Sequence, residues 1–487
     1  MLYQHPTIII LIAAILLVIS FKQQKIFNFI ALIYPIITGI ILTKLSLTET
    51  LASFNKISLI ANYDSSSKLI GFAFIIVLFV ANSYAISRNK KFELIFGTCH
   101  AAFAFTSLFA GDFVSLFAGL ELMMIFSAAI IFIGVHRSSL RSAKKYFLTH
   151  LMSGNMIVIG IAYIIMKTGS TELVLVTDLL NNPRYSSVIL MIMLAGFVVN
   201  LASFPFSGWM VNYYPESSPS GFLYLISFST KISVILVLKL FAGSEILQYV
   251  AIIMIIYSAA RALFENNLLS LLCYLSIMKI GFMVIGISIG NEITLYSTTC
   301  YLFIHILYKL LLSVSVASLI DFAKIKDCTA LGYVKNPLIF GSLIIGIVVM
   351  IGIPFTFTLH NKTIINYFIT ENNLRYTSLF LSFMTVIVIP WRELIHCDKI
   401  TLNKLDFYSK LSLSTILIIV TIITFFYSYL PFVSDFFDQN KQFKDIDMHI
   451  SNKLIFIFIG IIVSYFINIT RVHRKALSLI EWLGDAF

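Results

Sequence analysis

Phe113–Gly134 reads FVSLFAGLELMMIFSAAIIFIG, and this stretch decides the fold. Its 22 residues are long enough to cross a bilayer. Glu121 stands alone near the centre. A carboxylate is costly at that depth, and intramembrane acids face a cavity or a partner and mark an ion or proton path. Lys231, Lys279, Lys309 and Lys362 lie in equally apolar surroundings further along. One buried acid and several buried lysines point to charge movement across a membrane.

Composition agrees. The 487 residues are 59% hydrophobic and 12% charged, with a mean hydropathy of +0.95. A soluble chain of this size cannot hide so much apolar surface, so an integral membrane protein is expected. The apolar runs do not alternate, which predicts helices and excludes a barrel. The fold class expected is an all-α polytopic membrane protein with about 14–15 transmembrane helices. Span centres fall near residues 14, 36, 78, 103, 123, 157, 197, 232, 254, 279, 307, 348, 383, 420 and 462. The first apolar run, Thr7 to Ser20, has no basic leader and no AxA-like cleavage site, and reads as a retained span. The longest polar pieces, 45–68, 168–187 and 431–453, are too short for a soluble catalytic domain.

The net charge of +11 sits in short loops, where it reads as a topology signal and not as a nucleic-acid surface. Basic residues gather in alternate loops: Lys22 and Lys25, Arg88 to Lys91, Arg137 to Lys145, Arg261, Lys324 to Lys335, Arg392 to Lys410, and Arg471 to Lys475. The positive-inside rule then places the N-terminus outside and the C-terminus in the cytoplasm, in a bacterial inner membrane. Cys99, Cys273, Cys300, Cys328 and Cys397 are scattered without CxxC or CxxH spacing, so free thiols are expected and no metal. No nucleotide or cofactor motif occurs, and no HExxH or GxSxG.

Pro205 interrupts span seven and Pro354 span twelve. Each removes a backbone hydrogen bond and breaks or kinks its helix. Being five spans apart, the two broken helices run in opposite directions. That arrangement points to two inverted five-helix repeats with a site near the midplane, against the alternative of two ordinary kinks. The expected organisation is 1–93 N-terminal helices, 94–244 first repeat, 245–395 second repeat, and 396–487 C-terminal helices and tail.

These residues form a recognisable set. The chain resembles the antiporter-like membrane subunits of respiratory complex I (the proton-pumping subunits L, M and N of NADH-quinone oxidoreductase) and subunits A and D of Mrp-type cation/proton antiporters. Phe117-Ala118-Gly119-Leu120-Glu121-Leu122 carries the family's glutamate motif. Ala143-Lys144-Lys145-Tyr146-Phe147 with Gly160, Phe204-Pro205-Phe206 with Trp209, and Thr230-Lys231 with Lys239 follow in the family's order. So do Tyr274-x-Ser276 with Gly281-Phe282, His305 with Lys309, and Gly332, Pro337 and Gly352-Ile353-Pro354 with Lys362. The resemblance covers roughly residues 90–395. Departures occur too: the family's span-seven lysine falls on Asn200, its broken-helix histidine on Ser207, and a further lysine on Leu269. Lys279 stands where the family more often has a neutral residue.

The resemblance implies a proton relay through Glu121, Lys231, His305, Lys309 and Lys362, with Lys279 and Asn200 as accessory positions. Desolvation works against the charged form of a lone carboxylate or ammonium, and a nearby opposite charge restores it, so a movable pairing switches protonation. With Asn200 unable to titrate, Lys231 is the expected partner of Glu121, either as a movable pair or as a fixed ion pair between helices. His305 and Lys309 share a helical face, which suits a hydrated strip or a helix–helix hydrogen bond. Lys362 and Lys279 either work inside or snorkel to an interface. Lys144, Lys145 and Lys239 read as interface anchors, and Asp112 as a solvated loop acid.

The function expected is proton or sodium translocation by a subunit of a multisubunit complex, with other membrane subunits and the lipid bilayer as partners and without cofactor. A non-conducting assembly subunit is the first alternative, and an independent solute transporter the second. A membrane-embedded enzyme has the least support.

Overall fold

The computed structural model describes residues 5–45, 48–54, 57–134, 138–328, 331, 335–389 and 404–427. The expected span near 462, the tail from Arg471, and the loop bases Arg137, Arg392 and Lys399 lie outside the described residues, as does Gly332.

The chain opens with α1 (Pro6–Ile19) and α2 (Gln24–Leu42). A hairpin of β1 (Thr48–Phe54) and β2 (Ile57–Asn62) follows. Next come α3 (Ser65–Ser87), α4 (Lys91–Leu108), α5 (Phe113–Phe132), α6 (Ser139–Thr168), the short α7 (Val176–Leu180), α8 (Ser187–Asn200) and α9 (Gly208–Val211). The second half holds α10 (Pro219–Phe241), α11 (Ile246–Phe264), α12 (Leu268–Ile289), α13 (Glu292–Ser318), α14 (Pro337–Ile351), α15 (Phe357–Tyr367), α16 (Asn372–Ile387) and α17 (Phe407–Phe425). Each of the first fourteen expected span centres falls inside a helix. Among the described residues, nine helices are long and apolar enough to cross a membrane.

Local chemistry explains where helices start and stop. Asp64, Ser218, Asn267, Asn291, Asn336 and Thr356 cap helix N-termini with side-chain oxygens. Pro219 and Pro337 sit at the first helical position, where a missing N–H costs nothing. Gly169, Gly290 and Gly352 close helices in the left-handed conformation.

Helices α3, α10, α12 and α13 are almost wholly buried, and α13 is the central post, packed on α3, α10, α12, α14, α15 and α17. The outer helices α1, α2, α5 and α6 turn Ile15, Ile19, Phe29, Phe132 and Leu148 outward, the apolar exterior a bilayer requires. Two groups of helices pack in the same order. In one, α4 lies on α5, α5 on α6 and α6 on α8, with α10 returning to α4. In the other, α11 lies on α12, α12 on α13 and α13 on α14, with α16 returning to α11.

The polar segment 45–68 carries the hairpin, so the described residues are helical with one small antiparallel ribbon. The ribbon is tied to the α4–α5 turn: Asn62 N–H donates to the Phe109 carbonyl at 2.7 Å, and Gly111 N–H to the Ile60 carbonyl at 2.8 Å. Asp112 completes the tie and corrects the reading of a solvated acid. It is fully buried, caps α5 through Ser115 N–H (2.8 Å), and accepts Ile60 N–H at 2.7 Å. Those backbone donors hold it inside because a buried N–H requires an acceptor.

Lys239 is also more than an interface anchor. Its ammonium lies 3.1 Å from Asp64 and donates to the Leu108 carbonyl at 3.0 Å, joining α10 to the start of α3. Burial alone would raise the Asp64 carboxyl, but the Lys239 charge and the Ser67 bonds outweigh it and hold it below its ordinary 3.8. This stabilisation is therefore complete above the ordinary value and vanishes as pH falls through the lower, folded one. Asp64→Asn keeps a competent cap and removes only the charge. It is expected to lower stability by about 1 kcal/mol near neutral pH, a figure discounted for partial exposure. Thermal unfolding of both proteins across pH checks this: the difference should shrink to nothing in acid.

Candidate functional site: two internal polar clusters

The first cluster surrounds Glu121. The helix α5 carries the carboxylate to the α5–α6 seam, where a Cβ added to Gly154 would overlap Glu121 Oε1. Glycine at 154 therefore makes the room that the carboxylate occupies. Glu121, half-buried and not fully buried as the sequence suggests, lines a cavity of about 20 Å³ with Tyr146, His150, Ser153, Asn200, Ser229 and Ser233. That is space for about one water. Asn200 Oδ1 lies 3.0 Å from His150 Nδ1 and 2.8 Å from Ser153 Oγ. His150 Nε2 is buried with no hydrogen-bond partner among the described residues.

Lys231 is not there, which corrects the expected Glu121–Lys231 pairing. Among the described residues Glu121 forms no ion pair. The reason is helical phase. Ser229 and Ser233, four apart, face the cavity, so Lys231 between them points about 200° round α10. It donates instead to the Ile226 carbonyl at 2.6 Å and to Thr230 Oγ1 at 3.0 Å.

On that far face Lys231 joins the second cluster. It lies within electrostatic reach of Cys273 on α12 and of His305 and Lys309 on α13. The line continues from Lys309 to Lys279, and from Lys279 to Lys362, close enough to hydrogen-bond. His305 Nδ1 meets Tyr308 Oη at 2.7 Å. Ser276 Oγ, His305 Nε2, Lys309 Nζ and Ser313 Oγ are buried and unpartnered among the described residues. No carboxylate ion pair engages Lys231, Lys279 or Lys309 there. Lys279 is fully buried and donates to Thr385 Oγ1 at 2.7 Å, so it works inside the protein and does not reach a surface. Lys362 is buried as well, and does not snorkel.

Both breaks are present, and they are bridged alike. Helix α8 ends at Asn200 before Pro205, and Trp209 Nε1 donates across the gap to the Val199 carbonyl at 2.8 Å. Helix α14 ends at Ile351 before Pro354, and Lys362 Nζ donates across to the Ile351 carbonyl at 3.2 Å. At each break a side chain ten or eleven residues on donates to a carbonyl at the helix end, and the Val199 carbonyl also accepts the Ala202 N–H at 3.0 Å. At the first break the donor is an indole that carries no charge; at the second it is an ammonium.

The structure sets Lys231, His305, Lys309, Lys279 and Lys362 in one interior line and Asn200 on the cavity that Glu121 lines, whereas the sequence paired Lys231 with Glu121 and left Lys279 and Lys362 open between interior and interface. Sequence reasoning missed His150, Tyr308 and Thr385. It also missed Glu93, a buried acid on α4 that accepts from Ser218 Oγ (2.5 Å) and Ser220 Oγ at the start of α10.

This architecture defines a polytopic membrane protein with titratable side chains strung through its interior. Residues 110–388 match the NADH:quinone oxidoreductase/Mrp antiporter transmembrane family, and the chain belongs to that family. It is 24% identical to NADH-quinone oxidoreductase subunit N of Desulforudis audaxviator over 270 residues, covering 52% of this chain and 53% of the relative. It is 24% identical to the subunit N of Pelagibacter ubique over 299 residues, covering 56% and 61%. The chain thus spans between about half and two thirds of the length of these relatives. Its fold is shared with a chain of the Mrp complex from Dietzia sp. DQ12-45-1b at a TM-score of 0.78 and 14% identity, covering 91% of this chain and 98% of that one. A chain of the membrane-bound sulfane sulfur reductase, an archaeal respiratory membrane complex, aligns at a TM-score of 0.77 and 16% identity over 93% and 99%.

Proposed function

We propose that this chain is an ion-translocating subunit of a multisubunit respiratory or antiporter complex, and that it moves protons, or sodium in their place, along the Lys231–His305–Lys309–Lys279–Lys362 line, with Glu121 as the acid that gates the first half. The observation that carries this is Lys309, buried and without a partner among the described residues, in line with other buried polar atoms that also lack one there. Groups of this kind are costly unless water reaches them, and water between them makes a proton path. Within this reading residues 94–244 and 245–395 are two inverted repeats, supported by their common packing order and by the matching bridges over both breaks. Residues 1–93 and 396–487 flank them. The basic loops place the N-terminus outside and the C-terminus in the cytoplasm of a bacterial inner membrane. The chain holds no cofactor in this reading, so the driving energy comes from partner subunits or an ion gradient.

The second reading is a non-conducting assembly subunit. Its support is Asn200, a neutral amide where the family resemblance puts a lysine. Glu121→Gln in the isolated complex, reconstituted in vesicles, separates the two. Translocation predicts that proton or sodium flux drops about tenfold or more with the complex still assembled. Unchanged flux would establish the assembly role.

A further inference from the structure

Among the described residues Glu121 has no cationic partner of the kind expected, yet its cavity contains a titratable base, His150. We propose that His150 is the proton-exchanging partner of Glu121, standing in for the cation that Asn200 cannot supply. This deepens the proposed translocation and rests on it.

His150 and Glu121 line one cavity with room for about one water. Asn200 Oδ1, 2.8 Å from Ser153 Oγ, accepts from His150 at 3.0 Å only if Nδ1 carries the proton. That tautomer leaves Nε2 as the basic nitrogen, and Nε2 is the atom without a partner among the described residues. The ring is held edge-on to Trp209 at 4.5 Å and against Tyr146 at 4.4 Å, so it cannot easily turn away. Among the groups that face it, α5 brings Glu121, α6 brings Tyr146 and Ser153, α8 brings Asn200, α9 brings Trp209, and α10 brings Ser229 and Ser233. Glu121 is the one carboxylic acid in that set, and Lys231 lies on the other face of α10. The step balances simply. A proton leaves the Glu121 carboxyl, passes through a bridging water and arrives at Nε2, giving carboxylate and imidazolium that attract each other across the cavity. Asn200 then acts as a positioning residue that fixes the tautomer.

The test uses the assembled complex in vesicles and follows proton flux with a pH-sensitive dye. The His150→Asn variant retains a donor for Asn200 and lacks a titrating ring, and His150→Gln takes its place if the first does not assemble. The expected result is a loss of about tenfold in flux, with a pH profile that loses the step contributed by the ring. Adding Asn200→Lys to His150→Asn should return flux to within about threefold of the unmodified complex, because the lysine amine restores a proton acceptor beside Glu121. If His150→Asn leaves flux and pH profile unchanged, or if the double variant stays inactive, His150 only packs and the inference falls. Glu121→Gln measured alongside separates the two readings. If it is silent, the relay itself is refuted; if it is inactive while His150→Asn is normal, only the His150 assignment is refuted.

Discussion

Replacing Lys309 with methionine is expected to make the protein more stable and to stop translocation. Lys309 is 1% exposed, and its ammonium has no hydrogen-bond partner among the described residues. An unsatisfied buried polar group costs about 1–3 kcal/mol, and more when charged. Methionine has similar reach, no polar atom and enough flexibility to fill the space. Removing the ammonium also relieves the repulsion from Lys231, His305 and Lys279, which all lie within reach of it or of one another. Water in the path meets part of that cost, so the stability change should be a gain of about 1 kcal/mol. Function should move the other way. Lys309 is the link between Lys231 and Lys279, and the loss of one proton-carrying group from a series path is worth about a hundredfold or more in rate. Thermal unfolding of the purified complex and proton flux in vesicles give both signs from one preparation. A Lys309→Met complex that is destabilised but still pumps would mean that the ammonium is a structural contact, and that the interior line is not the path.

That opposition of signs also explains what could be read from the sequence. Charged residues in apolar runs stand out because they break the pattern that builds the helix, so Glu121 and the interior lysines were visible one by one. The prolines were visible for the same reason, and both breaks are where Pro205 and Pro354 predict them. Phase between helices was not visible. That Lys231 turns away from Glu121 follows only once Ser229 and Ser233 are known to face the cavity. His150 escaped because it sits in a helix with many polar neighbours, between Thr149 and Ser153, and its partner Asn200 lies fifty residues away on α8. Asp112 looked solvated because Gly111 and a helix start flank it; its burial depends on a hairpin whose strands the polar loop did not advertise. Glu93 follows Lys90 and Lys91, which lend it the look of a loop charge, yet only Lys90 approaches it, at 3.4 Å. Two serines from the start of α10 draw it inside.

Lys362 offers the second large effect, and here the conservative replacement is the informative one. Its ammonium bridges the break between α14 and α15 through the Ile351 carbonyl at 3.2 Å, and lies within hydrogen-bonding reach of Lys279. Two ammonium groups at that distance repel when both are charged, so the pair favours sharing one proton between them, which is a handover. The anchor and the relay make opposite demands on a substitute. An anchor needs a donor and a positive charge. A relay needs a group that gives its proton up. Arginine meets the first demand and fails the second, because guanidinium keeps its proton in proteins. Lys362→Arg is therefore expected to assemble normally and to lose about a hundredfold in flux. Lys362→Met should lose as much flux and also some stability, since the freed Ile351 carbonyl is left without its donor at a cost of about 1–3 kcal/mol. If Lys362→Arg carries ions at the unmodified rate, Lys362 is a fixed charge holding the broken helix, and the path must end at Lys279. If arginine fails while the fold stands, the helix break has a chemical purpose: it supplies the carbonyl against which a lysine rests between proton transfers.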